Sequence, residues 1–412
     1  MNSKLPEAFI RQTRQVMGEE RFTRFMAAFS EEAPVSIRIN PRKSPSPAPS
    51  PVPWCPTGTY LPTRPNFTFD PLLHAGCYYV QEAASMFLDE VLRQCLPLLT
   101  PHPSPLSVLD LCAAPGGKST LMRSALPEDS VLYSNEPVRQ RAGILLENVT
   151  KWGYERHFVT NLYPKDYRQS KMKFDLILCD VPCSGEGMFR KDPATIGEWS
   201  VQSVERCWQL QREIVSNAWE CLRPGGLLIY STCTFNTKEN EENVRWMLQV
   251  LGARVVPVTT RAEWNITGSL LDGFDAPVYR FIPGITRSEG LFMSVLQKGG
   301  GTPSVFAEPP RRMHGAPPRH ARSAPSLPIM EPPALHTDGP RIALTYQQAM
   351  AFLRRESLVL PPDTPLGLVE VCFHGHGLGT MKNLGTRANN LYPKEWRIKT
   401  THVPSEYEAV VK

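Results

Sequence analysis

The chain has 412 residues, is 41% hydrophobic and 21% charged, and carries a formal net charge of +5, which excludes a wholly disordered polymer and allows two or three domains with full cores. Its first residues, MNSKLPEAFIRQTRQ, lack the apolar centre of a leader, and no run of about 18 apolar residues occurs, so export and membrane spanning are not expected and a cytoplasmic location is. Ten cysteines without a CxxC pair argue for free thiols rather than a disulfide framework, and the mild positive charge favours an anionic partner without requiring one.

Residues 1–43 carry two helical patterns, Phe9, Ile10 and Val16, then Phe22, Phe25, Met26 and Phe29, followed by a short strand at 35–39. Eight Lys/Arg against five Asp/Glu give this small α/β cap some positive surface. Proline then recurs from 44 to 65, and the segment 44–105 reads as a PPII-like connector with one amphipathic helix starting near Gln81.

A buried strand at 106–111 runs into the tight loop Cys112, Ala113, Ala114, Pro115, Gly116, Gly117, Lys118, with a helix from about Ser119. Glycines let a ligand approach the backbone, and the helix start offers free amides. Cys112 stands where a phosphate-binding loop of the GxxxxGK type requires glycine, so that motif is excluded. The strand 130–135 ends at Glu136, about 20 residues beyond the glycines, where an acidic side chain meets a ribose diol in a dinucleotide-type fold. A nucleoside cofactor fits this pairing; a charged first-turn residue of the helix 139–151 is the plainer role for Glu136.

After a strand at 157–160, FDLILC at 174–179 is apolar and too short for an ordinary helix, so it reads as a buried strand ending at Asp180 and opening into a glycine-rich loop with Cys183. Residues 226–232 have the same form and stop at Cys233. In an open parallel sheet both cysteines land outside the carboxyl ends of the strands, where ligands bind. Two thiols in one cleft suggest a structural bridge, a metal site or thiol chemistry. Helices at 201–221 and 238–251 and strands near 254–258 and 291–296 complete an α/β doubly wound sheet over 106–298. Residues 299–340 read as a flexible, proline-rich linker. Residues 341–412 form a last small domain, with nine Lys/Arg, six Asp/Glu and Tyr392 and Trp396 among the cations Lys382, Arg387, Lys394 and Arg397, an interleaving suited to phosphates and stacked bases.

Three ordered motifs, DLCAAPGGKST, CDVPCSGEGMFRKDP and YSTCTFNTKENEENV, resemble those of the S-adenosylmethionine-dependent RNA cytosine-C5 methyltransferases, in particular their bacterial ribosomal RNA branch; YYVQEAASM and GLGTMKNLGTRANNLYPKEWRI resemble its preceding segment and its PUA-like tail domain. The resemblance implies a Rossmann-like methyltransferase sheet between a small N-terminal RNA-binding α/β domain and a PUA-like β-rich RNA-binding domain. It implies that Cys112–Lys118 cradle S-adenosylmethionine, that Glu136 holds its ribose, that Asp180 lies beside cofactor and base, that Cys233 is the nucleophile and that Cys183 helps to free the product. Asn161 stands near where many relatives place an acidic residue, and Ser288-Glu289-Gly290-Leu291-Phe292 replaces a more glycine-rich stretch.

Cytosine C5 becomes nucleophilic only after a nucleophile adds at C6, and a thiolate does this best at neutral pH. Asp180, if protonated in an apolar cleft, would hydrogen-bond cytosine N3, and a base at C5, Cys183 or a water it holds, must take the proton there. Lys118 is a candidate contact to cofactor or base, Arg190 and Lys191 to RNA phosphate, and Asn236 with Glu239 reads as a helix-capping pair. Cys372, His374 and His376 lack a plausible fourth ligand, so no metal is expected. The expected partner is RNA, ribosomal RNA or a ribosomal subunit, met by a monomer; transfer RNA methylation and a non-catalytic assembly factor are the alternatives.

Overall fold

The computed structural model describes residues 5–44, 50–99, 105–299, 327–400 and 402–411. Helix α1 (Glu7–Ala27) buries Phe9, Met17, Phe22 and Phe25, and Gly18, at φ +72°, divides it into the two helical segments read from the sequence. Strands β1 (Val35–Ile39), β2 (Pro51–Val52) and β3 (Cys55–Leu61), helix α2 (Pro71–His74) and strand β4 (Tyr78–Val80) follow. The four strands form one antiparallel sheet in the order β2-β3-β1-β4.

This sheet corrects the connector reading of 44–105. Pro51 lies on the edge strand, where a missing amide donor is tolerated, while β3 pairs with β1 over Gly58–Leu61 and Trp54, Cys55 and Tyr60 are buried. At Gly58 a Cβ would lie 2.5 Å from Met86 Sδ, so any side chain there would push Met86 out of its place in the core. The helix expected near Gln81 begins later, as α3 (Phe87–Cys95), after a 3-10 turn at Ala84–Met86.

The central sheet is built from β5 (Ser107–Asp110), α4 (Gly117–Ala125), β6 (Val131–Asn135), α5 (Arg139–Trp152), β7 (His157–Thr160), α6 (Pro164–Ser170), β8 (Phe174–Asp180), α7 (Ala194–Glu198), α8 (Val201–Cys221), β9 (Leu222–Thr232), α9 (Glu241–Val250), β10 (Arg254–Val255), β11 (Tyr279–Phe281) and β12 (Leu291–Gln297). Its order is β10-β12-β9-β8-β5-β6-β7, with β11 paired to β12. The strands β5 to β9 are parallel neighbours and β12 is antiparallel to β9. The chain leaves β5 in one direction through β6 and β7, then resumes on its other side with β8 and β9. That reversal opens a crevice at the carboxyl ends of β5 and β8. Helices cover both faces, so the middle of a strand such as β8, Leu176 to Cys179, is apolar and buried on successive residues rather than alternating.

Of the expected flexible linker, 300–326 lies outside the described residues. The remainder is ordered: Leu327 and Leu335 are buried, Ile329 bridges Thr160, and Met330 N donates to Val159 O at 2.8 Å. The exposed edge of β7 supplies the unpaired backbone groups that hold it. Strand β13 (Arg341–Ala343), helix α10 (Tyr346–Leu353) and strands β14 (Gly367–Phe373), β15 (His376–Asn383) and β16 (Ala388–Asn390) form the last sheet. Its core is continuous with Ile37, Leu72, Cys77 and Tyr78 of the first domain.

No described helix is long and apolar enough to cross a membrane.

Candidate active site

The Cys112–Lys118 loop leaves the end of β5 and enters α4. Ala113 N donates to Asn135 O at 2.8 Å, and Gly116 takes φ +117°, a conformation few side chains tolerate. The first domain presses on the loop from one side. A Cβ at Gly117 would lie 3.2 Å from Tyr79 Cε1. Arg38, 1% exposed, donates to Gln81 Oε1 at 2.7 Å, Thr120 Oγ1 at 2.6 Å and Gly117 O at 3.3 Å, and lies over the Trp152 ring. Burial lowers its pKa to about 10. Below the loop Asp110 accepts from Ser119 Oγ at 2.5 Å, and burial is the chief cause that raises its pKa to about 7.

Glu136 ends β6 with a carboxylate only 2% exposed. One oxygen accepts from Val138 N at 2.9 Å, and the other pairs with Arg141 at 3.2 Å. Arg141 also donates to Ala114 O at 3.0 Å, so its guanidinium links Glu136 to the glycine loop. Asn161 donates to Glu136 O at 2.7 Å and to Pro137 O at 2.9 Å, which fixes the turn between β6 and α5.

Because β8 and β9 are parallel neighbours, with Asp180 opposite Ser231, the residues beyond them meet. The Cys183 and Cys233 sulfurs are 3.3 Å apart. Their hydrogen bond, which Cys183 donates when Cys233 is the thiolate, is the first cause lowering the Cys233 pKa; burial and then the Asp180 charge oppose, and the Lys118 charge assists. The same bond, then burial, pushes Cys183 well above the ordinary thiol range. Among the cysteines, Cys233 is thus the one favoured as thiolate. Cys112, by contrast, is driven far up by burial.

Asp180 corrects one expectation. It is an ion-pair partner rather than a neutral acid in an apolar cleft: Lys118 Nζ lies 2.8 Å from one oxygen, and Ser231 Oγ donates to the other at 2.6 Å. Both oxygens accept, and a cation sits beside them. Burial works against a charged Lys118, but Asp180 and then Cys233 hold its pKa above the ordinary lysine value. Lys118 therefore reaches out of its own helix, a role the sequence left open.

Three RNA-contact candidates are also displaced. Arg190 is buried against Glu289 rather than presented to phosphate, while Lys191 is exposed. Tyr392 and Trp396, proposed base-stacking residues, are 1% and 9% exposed. They pack on each other, on Phe352 and beneath the Lys151 ammonium, because the loop after β16 turns its aromatic side chains inward. Arg397 and Lys399 remain exposed there. Cys372 is buried with its sulfur taking a hydrogen bond from Arg341, and no group of three or more metal-ligand side chains occurs among the described residues.

Arg141, Ser231 and Glu186 were missed by reading the sequence, and Glu239 was read only as a cap. Ser231, Glu186 and Glu239 act across the sheet edge on residues distant in the chain, a partnership no local pattern marks, whereas Arg141 reaches back from the first turn of α5 to Glu136 and the glycine loop.

Three family models match successive parts of the chain: the N-terminal domain of 16S rRNA methyltransferase RsmF at 5–83, 16S rRNA methyltransferase RsmB/F at 97–297, and the methyltransferase RsmF PUA domain at 340–398. The chain is similar to ribosomal RNA small subunit methyltransferase F of Pectobacterium atrosepticum, 30% identical over 74% of this chain and 64% of that one, and of Cronobacter sakazakii, 32% identical over 71% and 63%. It thus spans less than two thirds of the length of these relatives. Its fold is similar to the crystal structure of a methyltransferase homologue from Pyrococcus horikoshii, with a TM-score of 0.58 and 25% identity over 72% of this chain and 96% of that one. NSun6 from Pyrococcus horikoshii, solved with SFG, gives the same TM-score at 20% identity over 71% and 98%.

Proposed function

Because the chain belongs to the RsmB/F methyltransferase family, we propose that it transfers a methyl group from S-adenosylmethionine to C5 of a cytosine in small-subunit ribosomal RNA, through a covalent bond from Cys233 to C6 of the base. The observation that carries this reading is the thiol pair, 3.3 Å between sulfurs, at the mouth of the crevice and next to the Lys118–Asp180 ion pair.

The residues fit such a cofactor. A buried acid at the end of β6 faces a glycine loop whose backbone is bare of side chains where the next helix begins, so Glu136 would hold the ribose hydroxyls and residues 112–118, with the amides opening α4, the amino-acid portion. When bound, the cofactor supplies an electrophilic methyl group. Asp180 and Lys118 would meet the polar edge of the base, the carboxylate accepting from the exocyclic amine and the ammonium donating toward N3. That donation draws electrons from the ring and makes C6 more electrophilic.

Cys233 thiolate attack forms the S–C6 bond, breaks the C5–C6 double bond and places its electron pair at C5, which can then accept a methyl group. A water held by Cys183, whose own sulfur keeps its proton throughout, takes the C5 proton. Its departing electron pair re-forms the double bond and expels the Cys233 thiolate, to which Cys183 again donates a hydrogen bond. The test is transfer of a labelled methyl group from S-adenosylmethionine to 16S rRNA and to assembled small subunits, with the digested nucleosides resolved. Label in 5-methylcytidine supports the reading. Label in another nucleoside, or only in transfer RNA, refutes its base or its substrate.

A further inference from the structure

The two loops that carry the thiols hold each other through carboxylates that the reaction does not consume. Glu239, from the Cys233 side, is fully buried and reaches the Cys183 side, where it accepts from Ser184 N at 3.0 Å and Ser184 Oγ at 2.5 Å. Gln211 Nε2 at 2.6 Å and Asn236 Nδ2 at 2.8 Å complete its shell. Glu186, from the Cys183 side, reaches back. It accepts from Phe235 N at 2.7 Å, Asn236 N at 3.1 Å and Asn236 Nδ2 at 3.0 Å, and from Trp199 Nε1 at 3.0 Å. Between them Gly187 N donates to Cys233 O at 2.7 Å, and a Cβ on Gly187 would lie 2.6 Å from that same oxygen.

All eight of these hydrogen bonds to the carboxylates come from neutral amide, hydroxyl or indole groups, Asn236 Nδ2 serving both. Burying a carboxylate on neutral donors is costly, and an apolar pair of similar volume commonly stabilises a fold as well or better. Carboxylates supply direction instead: each accepts from fixed N–H and O–H groups of the opposite loop and so sets the spacing of the two loops. The side chains immediately beside these contacts are Cys183, next to Ser184, and Cys233, two residues before Phe235. An error of a few tenths of an ångström here changes the donation from one sulfur to the other.

We propose that Glu239 and Glu186 are positioning residues, which by clasping opposite loops keep the Cys183 sulfhydryl aimed at the Cys233 sulfur and so keep Cys233 in its attacking form. The proposal rests on the reading of Cys233 as nucleophile. Glu239 also acts through space, where its negative charge opposes ionisation of Cys233. The two effects have opposite signs on removal of the charge: lost positioning raises the Cys233 pKa, whereas lost charge alone lowers it.

The experiment is alkylation of the full chain by iodoacetamide across pH, without RNA or cofactor, with modification of Cys233 followed by peptide mass spectrometry. Glu239→Gln should move the midpoint upward by about one pH unit or more, toward the ordinary thiol value near ~8.5, and slow alkylation near neutrality about tenfold. Glu186→Gln should act in the same direction. Cys183→Ala should raise the midpoint too, and Glu239→Gln added to it should raise it no further, because the carboxylate works through Cys183. A midpoint that falls or stays in Glu239→Gln overturns the proposal, as does an additive rise in the double variant. If Glu239→Gln does not fold, Ser184→Ala, which removes one clasping hydroxyl and leaves the charge, should give a smaller upward shift; no shift overturns it. Methyl transfer that survives Cys233→Ala would instead sink the nucleophile reading, whatever the alkylation profile.

Discussion

Arg190 and Glu289 form an ion pair with 2.8 Å between nitrogen and oxygen, and their side chains are 7% and 2% exposed. A surface pair of this kind contributes little, but removing one partner of a buried pair strands the other charge in a medium that solvates it poorly. Arg190 also donates to Glu31 O and so ties the thiol loop to the first domain. Arg190→Ala is therefore expected to lower stability by about 3 kcal/mol, and Lys191→Ala, the next residue of the same loop but exposed, by less than ~0.5 kcal/mol. Urea unfolding of the two variants checks this. Equal stabilities would mean that the pair is hydrated in solution.

The thiols should part company on substitution. Cys233→Ala is expected to abolish methyl transfer and every covalent complex with RNA. Cys183→Ala should still permit attack, but with release of the product slowed the enzyme accumulates joined to RNA, as a ribonuclease-sensitive band that persists on a denaturing gel. The double variant should lose that band. A band that survives in Cys233→Ala would reverse the two roles.

Cofactor affinity should report on Glu136 and Arg141 in different ways. Glu136→Ala removes charge-assisted acceptors and is expected to weaken S-adenosylmethionine binding by about 2 kcal/mol, roughly 30-fold, without unfolding the protein. Arg141 now holds the same carboxylate, so Arg141→Ala should leave binding as tight or tighter. Titration calorimetry measures both, and weaker binding in Arg141→Ala would make that guanidinium a ligand of the cofactor instead.

His157 is half-buried beside Ser134, and desolvation of its ring followed by the Arg123 charge lowers its pKa from 6.5 to about 3. Between these values the unfolded chain takes up a proton that the folded chain refuses. The neutral ring's contribution is therefore complete above pH 6.5 and lost as pH falls toward 3. Buried acids such as Asp110, with a raised pKa, act with the opposite sign but are common to wild type and variant. The stability advantage of wild type over His157→Gln should thus shrink steadily from pH 6.5 to pH 4 in chemical denaturation. A constant difference would mean that His157 is protonated in the fold.

In the last domain, stability and RNA binding should separate by residue. Trp396→Ala opens the core shared with the first domain and is expected to lower the melting temperature by on the order of 5 °C. The double variant Arg397→Ala/Lys399→Ala should leave melting unchanged and reduce the slope of log affinity for RNA against log salt by about two. An unchanged slope would place the phosphate contacts elsewhere.

The central sheet and the ends of its strands are legible in the order of residues alone. Runs such as LILC at 176–179 are apolar on successive residues because both faces of a parallel sheet are covered, and they stop where the backbone leaves that cover, so Asp180, Glu136 and Cys233 were legible as residues at one edge. The glycine loop was legible too, since few residues other than glycine accept the backbone angle of Gly116. Tertiary structure alone decided which partner each of these groups found. Lys118 and Asp180 are 62 residues apart in the chain, and their ion pair replaced the neutral acid expected from an apolar setting. The proline count between 44 and 65 concealed a sheet, because a proline on an edge or at a strand end forfeits no ladder bond. Composition likewise could not orient Tyr392, Trp396 or Arg190. Whether a basic or aromatic side chain faces RNA or the core depends on what packs against it, and here an N-terminal sheet and a distant glutamate took that place.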